Sequence, residues 1–387
     1  MADILLTEVY TGRMKHSNLS AAKRAKNDEF YTQYDDIQKE IEAYLEYNPD
    51  TFKGKVVYCN CDDPLESNFF GFFADNFNRL GLKRLITTSF KPSPVANTLF
   101  DLSPYDLDND MKGREKDFAA RFIIDDIGDY NGDGNVNKLD LFEQLKANKN
   151  NEWKILSGDT DYPPGDFRSS ECTELLKQSD IVVTNPPFSL FKEYVAQLVD
   201  QNKRFAILGN MNSITYKEIF PLIKENKIWL GVTRQGTGSM WFQVTKSMPA
   251  KEGQRIDENG IRYQTIGNSA WLTNLDHGRR HEKLSLMSTE DIIKFGTKRP
   301  FDKYDNYDAL EVPLVKHIPA DYGGVMGVPI TFLGKYNPEQ FEILGASDNG
   351  AISDKYKLPH FKKHNEPYIN GKKQYKRIFI KHRKAAL

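Results

Sequence analysis

The residues of this chain best suited to chemistry are Asn185, Pro186 and Phe188, in the tetrapeptide Asn185-Pro-Pro-Phe188. They follow the β-branched apolar run Ile181-Val-Val-Thr184 and precede a helical pattern over residues 191–199. Such a run predicts a strand covered on both faces, because β-branched side chains fit a buried pleated surface. The prolines fix φ and bias Asn185 and Pro186 out of the helical region. The strand must therefore stop abruptly, with an amide, a carbonyl and an aromatic ring on a stiff turn at its carboxyl end. In open α/β sheets that end is where ligands sit. The turn reads as a rigid site for an amide and a flat ring. Its plainer alternative is a strand-ending Pro-Pro turn with Phe188 in the core.

An Asn-Pro-Pro-Phe tetrapeptide after a strand resembles the catalytic motif of amino-group methyltransferases. These use S-adenosylmethionine to methylate adenine N6, cytosine N4 or a glutamine amide. An exocyclic amino nitrogen is a poor nucleophile, since its lone pair is delocalised into the ring. The resemblance implies that the Asn185 side-chain oxygen and the Pro186 carbonyl accept its hydrogens and localise that lone pair toward the methyl sulfonium. Phe188 would stack on the base, a contact worth about 1–3 kcal/mol. The base would have to leave the duplex to reach such a pocket.

The elements that position this turn can be read along the chain. An amphipathic helix is predicted over residues 37–47, behind Phe30-Tyr31-Thr32, and a first buried strand runs from Lys55 into the acidic loop Cys61-Asp62-Asp63-Pro64. Ser67 is placed to cap a helix rich in Phe, and Ser169 or Ser170 to cap one over residues 171–177. Further strands are predicted at 82–88, 121–124, 154–156, 203–208, 228–232, 241–244, 270–274 and 328–333, with a helix at 216–225. Strands alternating with helices predict an α/β fold. The methyltransferase resemblance implies a Rossmann-like core whose cofactor is held by Phe30 and Thr32, by Asn60, Asp62 and Asp63, and by Asp166 and Phe167. Asp166 would accept from the adenine amino group. The loop after the first strand lacks the family's usual glycines, and the second strand lacks its usual terminal acid.

Asp129, Asn131, Asp133, Asn137 and Asp140 stand at positions 1, 3, 5, 9 and 12 of a loop with Gly134 at position 6. That spacing suits a structural calcium ion. An Asp/Asn/Gly loop without metal is the equal alternative.

Of 387 residues, 39% are hydrophobic and 28% charged, ordinary values for a globular chain. No run approaches the roughly 18 apolar residues of a membrane span, and residues 1–20 lack a signal-peptide core. Cys59, Cys61 and Cys172 form neither a metal spacing nor a disulfide framework, so a reducing cytoplasm is expected. Net charge is −1, yet both ends are basic while residues 101–143 are acidic. Basic ends suit a nucleic-acid partner. The candidate DNA contacts are Arg234, His277, Arg279, Arg280, Lys376 and Arg377, the bland alternative being solubilising charge.

Segments from Asp28-Glu-Phe-Tyr-Thr-Gln-Tyr34 through Asp180-Ile-Val-Val-Thr-Asn-Pro-Pro-Phe188 to Met326-Gly-Val-Pro-Ile-Thr-Phe-Leu333 resemble the EcoRI-type adenine-specific DNA methyltransferases. The resemblance covers about residues 27–345. It implies methylation of adenine N6 in duplex DNA by a cytoplasmic monomer, in a modification system. The organisation expected is a basic arm over 1–26, a catalytic core over 27–245 with an acidic insertion at about 100–150, and a DNA-recognition region over 246–387. N4-cytosine methylation and a catalytically silent DNA- or calcium-binding protein are the rival readings.

Overall fold

The computed structural model describes residues 30–64, 67–90, 119–147, 150–233, 241–244, 254–265, 269–295, 301–347, 352–358 and 366–383. The expected basic arm, Arg234, and residues 100–118 and 148–149 of the acidic insertion lie outside them. Two compact units divide the chain: Met1–Asn210 with Thr233–Leu275, and Met211–Val232 with Asp276–Leu387.

The first unit holds β1 (Phe30–Thr32), β2 (Val56–Asn60), β3 (Arg84–Thr88), β4 (Ala119–Ile124), β5 (Glu152–Leu156), β6 (Ile181–Thr184) and β7 (Arg204–Asn210). Its main sheet runs in the order β5-β4-β3-β2-β6-β7, continued by the strand Ser269–Thr273. The pairs β3–β2, β2–β6 and β6–β7 are parallel, while β4, β5 and Ser269–Thr273 add antiparallel edges. The expected α/β character thus holds as a large mixed sheet, compatible with a methyltransferase. Every residue of β2 and of β6 is buried, as a strand covered on both faces requires. Val57, Cys59, Ile181, Val183, Ala206 and Leu208 point into one apolar core with the helices Tyr34–Tyr47 and Asn68–Asp75. The alternate residues Tyr58, Val182, Phe205 and Ile207 are buried too. The helices Ser170–Gln178 and Phe191–Asp200 pack on β2 and β7.

After β2 the chain moves to one neighbour, β3, and β6 later adds on β2's other side. The carboxyl ends of β2 and β6 therefore meet at a topological switch point, where open α/β sheets take ligands. β1 belongs to a separate antiparallel sheet with Trp241–Val244, Arg262–Thr265 and Arg255–Ile256, and Thr32 there pairs with Phe242.

The second unit is built on four strands, in the order Leu310–Glu311, Met326–Pro329, Arg377–His382 and Phe341–Ala346. Tyr304, Tyr307 and Phe379 pack at its core. Two expectations change here. The predicted strand at 328–333 ends at Pro329, which has no amide hydrogen to continue the ladder, and becomes a 3-10 turn over Ile330–Lys335. The predicted helix at 216–225 shrinks to Phe220–Lys224, with Pro221 in its first turn.

Candidate active site

Backbone pairing between β2 and β6 covers Val57↔Ile181 and Tyr58↔Val182. Beyond it the Thr184 hydroxyl, not a backbone amide, reaches the Asn60 carbonyl. The strands are bridged there by a side chain, and the turn Asn185–Phe188 leaves from the same point. Thr184 is fully buried, Asn185 is part-buried, and Phe188 opens a 3-10 turn, Phe188–Leu190, that feeds the helix Phe191–Asp200. The helix is seated by Gly209 on β7: a Cβ there would lie 2.4 Å from the Phe191 ring. The abrupt stop expected of the Pro-Pro pair is what the chain does.

The loop after β2 has no glycine, and Cys61 takes the left-handed conformation instead, at φ 68°. That is the backbone state glycine usually supplies. It turns Asp62 inward, where only 5% of its surface is exposed. The Asp62 amide donates to the Thr88 carbonyl at 2.9 Å, and its Oδ1 accepts from the Ser67 hydroxyl at 2.7 Å. Ser67 also caps the Phe-rich helix, as expected, by accepting from the Phe69 amide at 3.1 Å. Burial pushes the Asp62 carboxyl up to about 7, against the opposing hydrogen bonds of Ser67 and Thr184. Asn68, which the sequence did not single out, donates from its side-chain amide to the Thr32 carbonyl at 2.7 Å and so ties β1 to the helix after the acidic loop. A lone Asn after a capping Ser carries no sequence signal for such a bond.

Three polar atoms in these segments are buried without a hydrogen-bond partner among the described residues: Thr32 Oγ1, Asn60 Nδ2 and Asp62 Oδ2. Buried polar atoms are usually paired, so this set of orphans is a candidate place for a polar ligand. A carboxylate oxygen, an amide and a hydroxyl match the charged amino-acid end that S-adenosylmethionine carries. Of Phe30, whose part in the cofactor site was expected, the structure describes the backbone only.

Asp166 and Phe167 lie on a second tight turn. Gly165 leads into it at φ 79°, with a Cβ excluded by the Ser89 carbonyl at 2.0 Å. Asp166 is 3% exposed, and Arg168 grips it: the amide and Nε at 2.9 Å on Oδ1, and Nη2 at 2.8 Å on Oδ2. Phe167 is buried against Tyr194, with ring centroids 4.9 Å apart. Ser169, of the two expected caps, is the one that starts the following helix.

The loop at 129–140 is corrected. Asp140, the twelfth position, accepts from the amides of Tyr130, Asn131 and Asn137 and forms a capping box for the helix Lys138–Lys146. Asp129 accepts from the Gly132 and Gly134 amides. Its carboxylates thus close the loop on its own backbone, and no group of three metal-ligating side chains occurs among the described residues. Calcium finds no support.

The basic candidates of the second unit divide by burial. His277, expected at the surface, is 2% exposed; its Nε2 meets the Leu230 carbonyl at 3.0 Å, and burial pushes its imidazole down to about 4. Arg280 is 6% exposed, stacked 3.5 Å over the Trp229 ring and bonded to Asp276 and Asn226. Arg377, part-buried, forms an ion pair with the buried Glu311 at 2.6 Å. Arg279 and Lys376 are part-exposed; Arg279 donates to the Val232 carbonyl and Lys376 to the Thr215 hydroxyl.

No helix among the described residues is long and apolar enough to cross a membrane. A model of the family described as "Adenine-specific methyltransferase EcoRI" matches residues 18–383. The chain is 44% identical to the type II methyltransferase M.EcoRI of Escherichia coli over 367 residues, 95% of this chain and 96% of that one. It is 36% identical to the type II methyltransferase M.MpnI of Mycoplasma pneumoniae over 94% of this chain and 97% of that protein. M.MgeORF184P of Mycoplasma genitalium is also 36% identical, over 95% and 99% respectively. No solved structure matches the chain. A stiff Asn-Pro-Pro-Phe turn at the sheet's switch point and matches over nearly the full length agree: the chain belongs to the EcoRI-type adenine-specific type II DNA methyltransferases.

Proposed function

We propose that this enzyme methylates N6 of an adenine flipped out of duplex DNA, using S-adenosylmethionine bound across the carboxyl ends of β2 and β6. The observation that carries the reading is the turn Asn185–Phe188 beside the acidic loop at that switch point. When bound, the cofactor supplies an electrophilic methyl on a sulfonium. Asn185 Oδ1 and the Pro186 carbonyl accept the two amino hydrogens of adenine, which returns lone-pair density to N6. Phe188 stacks on the ring and holds its plane. Asp62 and Asn60 take the cofactor's charged amino-acid end with Thr32, Phe30 and Asp63, and Asp166 with Phe167 takes its adenine. The core is Rossmann-like in this reading, and the chain works as a cytoplasmic monomer; its three free cysteines suit that compartment.

DNA contacts fall to Arg279 and Lys376 in a recognition region that follows the core, and to Arg234, while His277, Arg280 and Arg377 hold the frame of the second unit. Phosphate contacts of this kind fix register and add salt dependence.

Asn185→Ala tests the catalytic assignment. Cofactor affinity should survive while incorporation of labelled methyl into DNA falls about 10²-fold or more, the scale on which removing one preorganised polar group acts. Turnover within tenfold of the native enzyme would overturn the assigned role.

A further inference from the structure

The Asp166 turn is fastened to the helix that the catalytic turn feeds. Glu193 and Tyr194 stand four and three residues before Gln197 on the helix Phe191–Asp200, so both neighbour it on the helix surface. Each meets the turn. Arg168 Nη1 donates to Glu193 Oε2 at 2.9 Å, Gln197 Nε2 donates to the Phe167 carbonyl at 3.1 Å, and Tyr194 packs edge-on against Phe167. Arg168 is meanwhile locked in place by its fork on Asp166 and by the Tyr162 ring, 4.7 Å from its guanidinium carbon. Gln197 Oε1 is buried with no hydrogen-bond partner among the described residues. An orphaned amide oxygen costs stability, so this glutamine is not explained by packing alone.

The other end of the helix is equally constrained. Its first residue, Phe191, stands three positions after Phe188 and has its ring pressed against Gly209. A helix held at both ends moves as one body, because its backbone hydrogen bonds resist local stretching. We propose that this helix couples the Asp166–Arg168 turn to the Asn185–Phe188 turn, with Arg168 and Gln197 as positioning residues for methyl transfer. The proposal rests on the reading that the Asp166 turn holds the cofactor's adenine.

The fork also sets what Asp166 offers. Oδ1 already accepts two hydrogens from Arg168, the amide's and that of Nε, whereas Oδ2 accepts one, from Nη2. A carboxylate oxygen has two lone-pair sites, so Oδ2 keeps one acceptor for an amino group, and Arg168 decides where that acceptor points. A lysine has the charge but not the fork. Glu193 is the weaker clamp, since its side chain is 59% exposed and solvent screens the pair.

The test uses the full-length enzyme with S-adenosylhomocysteine as calorimetric probe, and unmodified genomic DNA in single-turnover methylation at saturating cofactor. Gln197→Ala and Arg168→Lys should each weaken probe binding about three- to tenfold, the change one hydrogen bond carries. Each should also slow the saturated methylation rate by a similar factor, which a purely local binding role would not do. The ligand-free melting temperature identifies any variant that has merely lost stability, and Glu193→Gln, on the exposed pair, serves as the milder second variant. If Asp166→Ala weakens probe binding but the saturated rate of Gln197→Ala and Arg168→Lys stays within twofold of native, the coupling is overturned and the adenine reading stands. If Asp166→Ala leaves probe binding unchanged, the adenine reading falls and takes the coupling with it.

Discussion

Asp62 shows how a single side chain acquires its character from its surroundings. Two neighbouring acids after a strand look alike in sequence, yet Asp62 is turned inward by the left-handed Cys61 and loses its water. Burial raises its carboxyl from 3.8 to about 7. The folded chain then holds a proton that the unfolded chain has already released, so this group's contribution to stability falls as pH rises from about 4 to about 7 and is level above that. Asp62→Asn cannot titrate. Urea unfolding of both proteins between pH 5 and 8 should therefore show the native chain losing ground to the variant as pH rises. A constant gap would mean that Asp62 stays ionised throughout.

At the scale of elements, the loop over 129–140 is a lesson in shared chemistry. The oxygen side chains that ligate calcium are also good acceptors for backbone amides, and both uses need the same Asp, Asn and Gly residues. Here three amides converge on Asp140 and the helix Lys138–Lys146 starts from it. The amide of Asn131, foremost among them, holds its carboxyl below the ordinary range. Asp140→Ala should lower the melting temperature through loss of the capping box, whereas adding calcium or a chelator to the native enzyme should leave it unmoved. A calcium-dependent rise in melting temperature would restore the metal reading. The strand-turn-helix around Asn185 was legible from sequence because its signals are local: β-branched residues, two prolines, then helical spacing. The left-handed residue of the acidic loop was not, since cysteine carries no signal for positive φ.

For the whole molecule, adjacent basic residues separate into framework and surface. Arg377, part-buried, is paired with the buried Glu311, and leaving a buried charge without its partner costs about 3–5 kcal/mol. Lys376, part-exposed beside it, should do the opposite. Lys376→Ala is expected to leave unfolding unchanged and to reduce the dependence of log affinity for duplex DNA on log salt by about 1, whereas Arg377→Ala should destabilise the fold. Equal salt slopes for Lys376→Ala and the native enzyme would remove Lys376 from the DNA surface. The sequence alone determined the α/β alternation, the rigid Asn185–Phe188 turn and the Ser67 cap, because each depends on residues within a few positions of one another. Only the tertiary structure decided which charges are buried. Arg280 meets Asn226 across 54 residues and Arg377 meets Glu311 across 66. A basic residue reads the same in sequence whether its partner arrives from a distant strand or from the solvent, and burial is the property that tells the two apart.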